Sequence, residues 1–402
     1  MESNREQAES ESYGDKKAEK HLDLKNCVHD ILRPLLKCMQ LFGIYYDKFE
    51  RRSTSGRLFN FSKIYCVFAM VLIWINVLRY IPSFWVGFDY QPNQTVNRVI
   101  KQTWLLQCAI TASIILWHCR KGSWDGFYYA WYGVITTGCW SNHINKKTMK
   151  MRRICKLFLF LAIVYFIFNI LSSLLAVTLF NSSVWITNPF PPNVEIAIVI
   201  LILELFDLAA WIFPVIYMIA ICYCVKLAFS MVTMCLESSV QKLQGFPDDL
   251  NDIRLLHLKL CRMVEHLDKP VSIWIVNVVG CNIFLACFIM YDLVRNDQNV
   301  IAVLILKYSW LTNNILTVFI TCWFIAAVNE EAHMPLEYIY ETQTDKLSTH
   351  QLGQLTLFLS KLTGTSIGFT AMGFFTITKE VILTIGGLYL TYFFLLLQFK
   401  IS

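Results

Sequence analysis

Seven stretches of this chain are each apolar for at least most of the length a helix needs to cross a bilayer, and that repetition restricts the fold more than any motif does. They lie near Ile64 to Phe84, Thr103 to Cys119, Ile154 to Phe180, Val194 to Val225, Val271 to Leu293, Val300 to Val328 and Glu380 to Phe399. A hydrocarbon core about 30 Å thick takes about 20 helical residues. Inside it every backbone N–H and C=O must be paired within the protein, so segments of this length cross as α-helices. The 402 residues are 56% hydrophobic and only 16% charged, with 12 Trp and 29 Phe, more apolar surface than a water-soluble core would conceal. The fold class is therefore all-α, a polytopic membrane protein with seven transmembrane helices. The fourth and sixth runs exceed one crossing and are expected to project as continuous helices.

The segments between the runs set the domain organisation and the orientation. Residues 1–60 form an N-terminal leader, charged and rich in Ser and Glu from Met1 to Lys25. It has no short apolar core with a small-residue cleavage site, so it reads as a disordered leader and not a signal peptide. Val28 to Phe49 is mildly amphipathic and suited to docking on the membrane or on other helices. Transmembrane helices 1–4 fill 61–225, a cytosolic helical anchor 226–269, helices 5 and 6 270–328, a further anchor and bend 329–378, and a seventh helix 379–402. In the anchor, Ile253, Leu256, Leu260, Met263 and Leu267 recur at helical spacing and need a partner face. With the N-terminus inside, 29 of the 35 Lys and Arg residues fall on the cytosolic side, so the positive-inside bias makes the N-terminus cytosolic and the C-terminus extracellular. The sequons agree: Asn93 and Asn181 fall in outer loops, whereas Asn60 is cytosolic and should stay bare. None of the 14 Cys lies in a predicted outer loop, so no disulfide framework is expected.

No catalytic constellation, phosphate loop, zinc pair or cofactor motif is present, and the eight His are scattered. Neither an enzyme nor a nucleic-acid partner is expected. The informative polar residues lie inside the apolar runs, where an unpartnered polar group is costly. Glu204, Asp207 and Trp211 share one face of the fourth run, and Lys307, Trp310 and Asn314 one face of the sixth. Two readings stay open. In one, Lys307 pairs with Asp207 or Glu204 and the cluster is interhelical glue. In the other, these residues line an outer-half pocket floored by Trp211 and Trp310 and completed by Trp104, Gln107, Asn169, Ser173 and Asn282, with Pro214 kinking the fourth helix below it.

The last helix repeats the mixture. Thr384, Leu388, Thr391, Leu395 and Gln398 share one face, a combination suited to a wet path closed by an apolar plug. The segment Thr391-Tyr392, five apolar residues, Gln398-Phe399 resembles the C-terminal signature of insect gustatory receptors, and Ala371-Met372-Gly373-Phe374-Phe375 resembles the block preceding their final helix. The resemblance implies a ligand-gated nonselective cation channel for a small-molecule tastant, a homo- or heterotetramer among membrane lipids, in the plasma membrane of a sensory neuron dendrite or soma. It also implies that each subunit lends its last helix to a central pore. Leu388, Leu395, Gln398 and Phe399 would then stand at the pore and gate, with Thr391 and Tyr392 as packing or coupling residues. Sugar receptors of this family commonly carry an acidic residue where this chain has Phe393, which tilts the expectation towards a bitter-type or broadly tuned receptor. The alternatives are an odorant-receptor-like subunit of the same superfamily, a transporter, and a G-protein-coupled receptor, the last opposed by the charge bias.

The orientation predicts a glycosidase pattern. Asn93→Gln and Asn181→Gln should each remove one glycosidase-sensitive gel shift, and Asn60→Gln none; a glycan on Asn60 would invert the topology.

Overall fold

Among the described residues each apolar run falls mainly in a helix of its own, and most of these helices continue past the run. A computed structural model describes residues 28–46, 56–86, 95–135, 144–179, 187–191, 193–243, 250–295, 301–340, 347–364 and 366–401. In order these hold α1 (28–41), α2 (Gly56–Tyr80) with a 3-10 turn at Ile81–Phe84, α3 (Thr95–Lys121), α4 (Ser123–Ile135) and α5 (Ile144–Leu179). Then come α6 (Val194–Leu243), α7 (Leu250–Arg295), α8 (Ile301–His333), the short α9 (Pro335–Tyr340), α10 (Thr349–Gly364) and α11 (Lys379–Ile401). Among the described residues seven helices, α2, α3, α5, α6, α7, α8 and α11, are long and apolar enough to cross a membrane. Most of the leader and the sequon residues Asn93 and Asn181 lie outside the described residues.

The domain boundaries expected at 225/226 and 269/270 fall inside single helices. α6 runs for 50 residues and α7 for 46, more than twice the length a crossing needs. Apolar residues keep a helical period through the polar stretches, so extension costs no break in the hydrogen-bond ladder. Pro214 and Pro270 sit within these two helices, where each removes an N–H. They face one another across a void of about 10 Å³ bordered by Trp124, Tyr217 and Trp274.

α1 is an internal brace. Val28, Ile31, Leu32, Leu35, Leu36 and Met39 recur at helical spacing and are all buried. The chain then reverses at Gly43, whose φ of +66° suits glycine and where a Cβ would meet the Ala69 Cβ at 2.5 Å. This lays Phe42 on Phe213 of α6, centroids 5.7 Å apart, and Tyr45 near Tyr217 at 6.5 Å.

The first half of α7, the end of α8 and α10 form a second packed layer. Ile253, Leu256, Leu260, Met263 and Leu267 are all buried, with Leu355, Phe358 and Leu362 of α10. His257 lies among them, its Nε2 2.9 Å from the Ala332 carbonyl and its ring edge-on to Phe229 and Phe358. Its Nδ1 lies 3.5 Å from Cys261 Sγ, so both ring nitrogens have partners and it is a packing residue. From this layer a small hairpin leads to α11. The Ile377 N–H donates to the Phe369 carbonyl, Thr370 bridges to Thr376, and Met372 and Gly373 turn with positive φ. Asp268 of α7 holds it: the Thr370 N–H and hydroxyl each donate to a separate carboxylate oxygen at 2.7 Å. Lys379, opening α11, pairs with Glu330 of α8 at 2.5 Å.

The Asp268 clamp is testable. Asp268→Ala should lower the thermal midpoint of the solubilised protein, losing charged hydrogen bonds worth roughly 1.5–3 kcal/mol each, and Asp268→Glu should retain part of the effect. An unchanged midpoint in Asp268→Ala would mean that other contacts hold the hairpin.

Candidate functional site

Five helices come together at the end of the bundle away from α10 and leave a cavity of about 390 Å³. α3 contributes Lys101 and Trp104, α5 Asn169 and Ser173, α6 Glu204, Leu208 and Trp211, α7 Leu285 and Ile289, and α8 Trp310, Asn313 and Asn314. The helical period explains the grouping. Lys101 and Trp104 stand three apart, as do Leu201 with Glu204 and Leu205 with Leu208, so each helix turns a narrow stripe inward.

The walls are aromatic with a few amides. Trp104 meets Trp211 edge-on, centroids 6.2 Å apart, and Tyr165 supports Trp211 from α5 at 6.0 Å. The carboxamides of Asn169 and Asn314 donate back to their own helices, to the Tyr165 carbonyl at 2.8 Å and the Trp310 carbonyl at 2.7 Å. Among the described residues the Trp211 Nε1–H and the Asn314 Oδ1 have no hydrogen-bond partner. One donor and one acceptor are thus left unfilled on residues that border the cavity.

Of the two carboxylates that α6 carries here, Glu204 meets a cation and Asp207 a neutral amide, its Oδ1 having no hydrogen-bond partner among the described residues. Lys101 Nζ lies 2.5 Å from Glu204 Oε1 and 4.7 Å from the Trp104 centroid. Asp207, fully buried, turns away from the cavity and accepts from Asn76 Nδ2 of α2 at 2.5 Å. Asn76 in turn accepts from Arg79 Nε at 2.9 Å, and Arg79 donates to the Asn188 carbonyl at 2.7 Å. The pairing expected of Lys307 with Asp207 or Glu204 does not form. Lys307 pairs with Asp292 of α7 at 2.5 Å, both side chains buried, because α7 and α8 are antiparallel neighbours whose adjoining ends bring these residues level.

Six of the ten residues proposed from sequence for ligand binding therefore border one cavity: Trp104, Asn169, Glu204, Trp211, Trp310 and Asn314, with Ser173 beside them. Gln107, Asp207, Asn282 and Lys307 do not. Gln107 and Asn282 are fully buried in the helix packing; the Gln107 carbonyl accepts from Asn277 Nδ2 at 3.3 Å, and Asn282 donates to the Val278 carbonyl at 2.7 Å. Lys101 was missed, although its place three residues before Trp104 on one helical face was a usable signal.

α11 has two unlike faces. Tyr389 is buried against Ala286 and Met290 of α7, and Tyr392 and Leu396 pack beside it near Leu311 and Ile315 of α8. Thr384, Leu388, Thr391, Leu395 and Gln398 all lie exposed on the other side. The two hydroxyls are satisfied within the helix, Thr384 on the Glu380 carbonyl at 3.0 Å and Thr391 on the Gly387 carbonyl at 2.9 Å. The backbone of Phe399 continues the helix; its side chain lies outside the described residues.

Comparison with known proteins agrees with this architecture. Two solved structures of the insect olfactory receptor OR5 from Machilis hrabei, one of them in complex with eugenol, are similar to the chain at 17% and 16% identity. They superpose with TM-scores of 0.73 and 0.75, each covering 93% of this chain and 99% of the receptor, which identifies the fold. No curated protein matches the sequence. The family model for the trehalose receptor matches residues 12–402, nearly the whole chain. The chain is a multi-pass membrane protein that belongs to the trehalose-receptor family of insect gustatory receptors, within the superfamily of insect chemoreceptor channels.

Proposed function

We propose that the chain is a subunit of a ligand-gated, nonselective cation channel, a homo- or heterotetramer in the plasma membrane of a sensory neuron. Its ligand is a small, neutral, hydroxylated tastant held in the cavity among α3, α5, α6, α7 and α8. With the N-terminus cytosolic, the cavity lies in the outer half of the membrane, open to a ligand arriving from outside.

The observation that carries this reading is the pairing of the charges. Glu204 is taken up by Lys101, and Asp207, held by Asn76 through one oxygen, does not border the cavity, so no free carboxylate lines it to favour a cationic alkaloid. What remains on the wall is indole faces, amides and a hydroxyl, which suit alternating C–H surface and hydroxyl groups, as in a sugar. The trehalose receptor that gives the family its description supports the same ligand class. Phe393, the basis of the tilt towards bitter ligands, sits on α11 beside Phe394 and does not border the cavity, so it says little about what the cavity holds. A second reading, an apolar phenolic ligand, is favoured by the aliphatic remainder of the wall, including Leu205, Leu208 and Ile289.

Channel opening needs a path from cavity to pore, and α7 and α8 supply one. Ile289 and Trp310 border the cavity, while Met290 and Leu311 on the same helices pack near α11. A ligand that prefers one spacing of α7 and α8 shifts α11 with them. Four copies of the exposed α11 face, carrying Leu388, Leu395 and Gln398, would form a pore whose apolar rings exclude hydrated ions by dewetting.

Whole-cell recording during perfusion with a disaccharide, an alkaloid and a phenol, with G-protein signalling blocked, should show a cation current to the disaccharide. Trp310→Ala should raise the half-maximal concentration by about tenfold or more at unchanged surface expression. A current to the alkaloid alone would reject the neutral-ligand reading, and a current to the phenol alone would select the second one.

The gate makes a separate prediction. Leu395→Ala and Phe399→Ala channels should leak cations without ligand; silence at rest in both would move the gate elsewhere.

A further inference from the structure

α5 opens with Lys146-Lys147-Thr148-Met149-Lys150-Met151-Arg152-Arg153-Ile154-Cys155-Lys156, six basic residues in eleven. No carboxylate occurs in the chain between Asp125 and Glu195, so nothing nearby in sequence balances them. Lys150, Arg152, Arg153 and Lys156 are exposed. Among the described residues none of these four is in an ion pair, and the two acids of α8 near its end are engaged elsewhere, Glu331 with Lys226 and Glu330 with Lys379.

The side chains that follow are equally uncovered, but apolar. Leu157, Phe160, Leu161, Val164 and Phe168 are all exposed and continue the same stripe at three- and four-residue steps. Only 17% of the most apolar stretch of this helix is buried, against 56% for α6, so most of that stretch of α5 is left uncovered by the rest of the chain. From Lys156 to Phe160 the helix rises about 6 Å, comparable with a headgroup layer of about 5–8 Å. Charge and apolar surface thus change over where a phospholipid changes from headgroup to acyl chain. Two adjacent arginines add planar donor forks that fit phosphate oxygens in pairs.

We propose that Lys150, Arg152, Arg153 and Lys156 form a headgroup site for an anionic phospholipid carrying a phosphorylated headgroup, its acyl chains lying along Phe160 and Leu161. By the proposed orientation this is a lipid of the cytosolic leaflet, where juxtamembrane basic clusters recruit such headgroups. The site is separate from the tastant cavity, and its existence does not depend on what the cavity binds. Because α5 also carries Asn169 and Ser173 into the cavity wall, a lipid seated at its other end would steady one wall of that cavity.

The test uses the full-length protein in detergent, titrated with a fluorescent short-chain phosphatidylinositol bisphosphate and, separately, with the matching phosphatidylcholine. The expected result is binding at least about tenfold tighter for the anionic lipid, weakened in high salt. It should fall to the phosphatidylcholine level in the variant carrying Lys150→Gln, Arg152→Gln, Arg153→Gln and Lys156→Gln. Should that variant fail to fold, a diazirine-bearing phosphatidylinositol bisphosphate photocrosslinked to the unaltered protein provides the second measurement, with label expected on residues 157–168. Equal affinity for the neutral lipid, label confined to other helices, or equally tight binding of soluble inositol trisphosphate would each overturn the proposal.

Discussion

A charge within hydrocarbon has to be held at hydrogen-bond distance, and the cavity end of this bundle is arranged around two ion pairs and one carboxylate held by an amide. Lys101 with Glu204 joins α3 to α6, Asn76 with Asp207 joins α2 to α6, and Lys307 with Asp292 joins α8 to α7. Breaking one side of a buried ion pair leaves an uncompensated charge, at a cost of about 3–5 kcal/mol. Apolar contacts alone would let neighbouring helices slide with little penalty, since lipid is as apolar as leucine. These contacts remove that freedom. Each fixes the register of two helices, and together they fix where Trp104, Trp211 and Trp310 stand.

Much of this was legible in the sequence, and the parts that were not share a cause. The seven helices follow from run length, because hydrocarbon permits almost nothing else. The buried face of α7 could be read from Ile253, Leu256, Leu260, Met263 and Leu267, because burial of a helix stripe depends on spacing alone. Glu204, Trp211, Trp310 and Asn314 could be singled out because a polar or bulky amphipathic residue in an apolar run is conspicuous. Partner identity was not legible. Lys307 stands on a helix that neighbours α7, and whether it reaches Asp292, Asp207 or Glu204 depends on helix rotations that no single helix encodes. Gln107 and Asn282 fail for the same reason, since both are as conspicuous as Asn169 and differ only in the direction they face. Lys101 was overlooked because it was counted with the loop charges, although α3 begins at Thr95 and carries it well inside the helix.

α1 shows the opposite case. Its sequence pattern is a modest amphipathic one, suited as well to a membrane surface as to a core. The structure draws it into the bundle through a reversal at Gly43 that no other residue type would fit without displacing Ala69. What settles the matter is one close approach of backbone to side chain, a constraint invisible to periodicity.

The two faces of α11 bear on how binding could do work. A packed interior resists gradual deformation and instead moves between discrete arrangements. α7 and α8 touch the cavity on one side and α11 on the other, and the Lys307–Asp292 pair obliges these two helices to move together at that end. In the proposed channel a displacement begun at Trp310 or Ile289 would reach Met290 and Leu311 within one helical turn, with no intervening loop to absorb it, and Tyr389 and Tyr392 would receive it on α11. The far side of α11 remains bare in the single chain, with hydroxyls turned back on their own carbonyls and leucines between them. A face of this kind is neither an ordinary lipid-facing surface, which has no use for Gln398, nor a finished core. In the proposed channel it would meet its own copies around water, and the energy available to open such a ring would be limited to the ligand's difference in affinity between a closed and an open arrangement of α7 and α8.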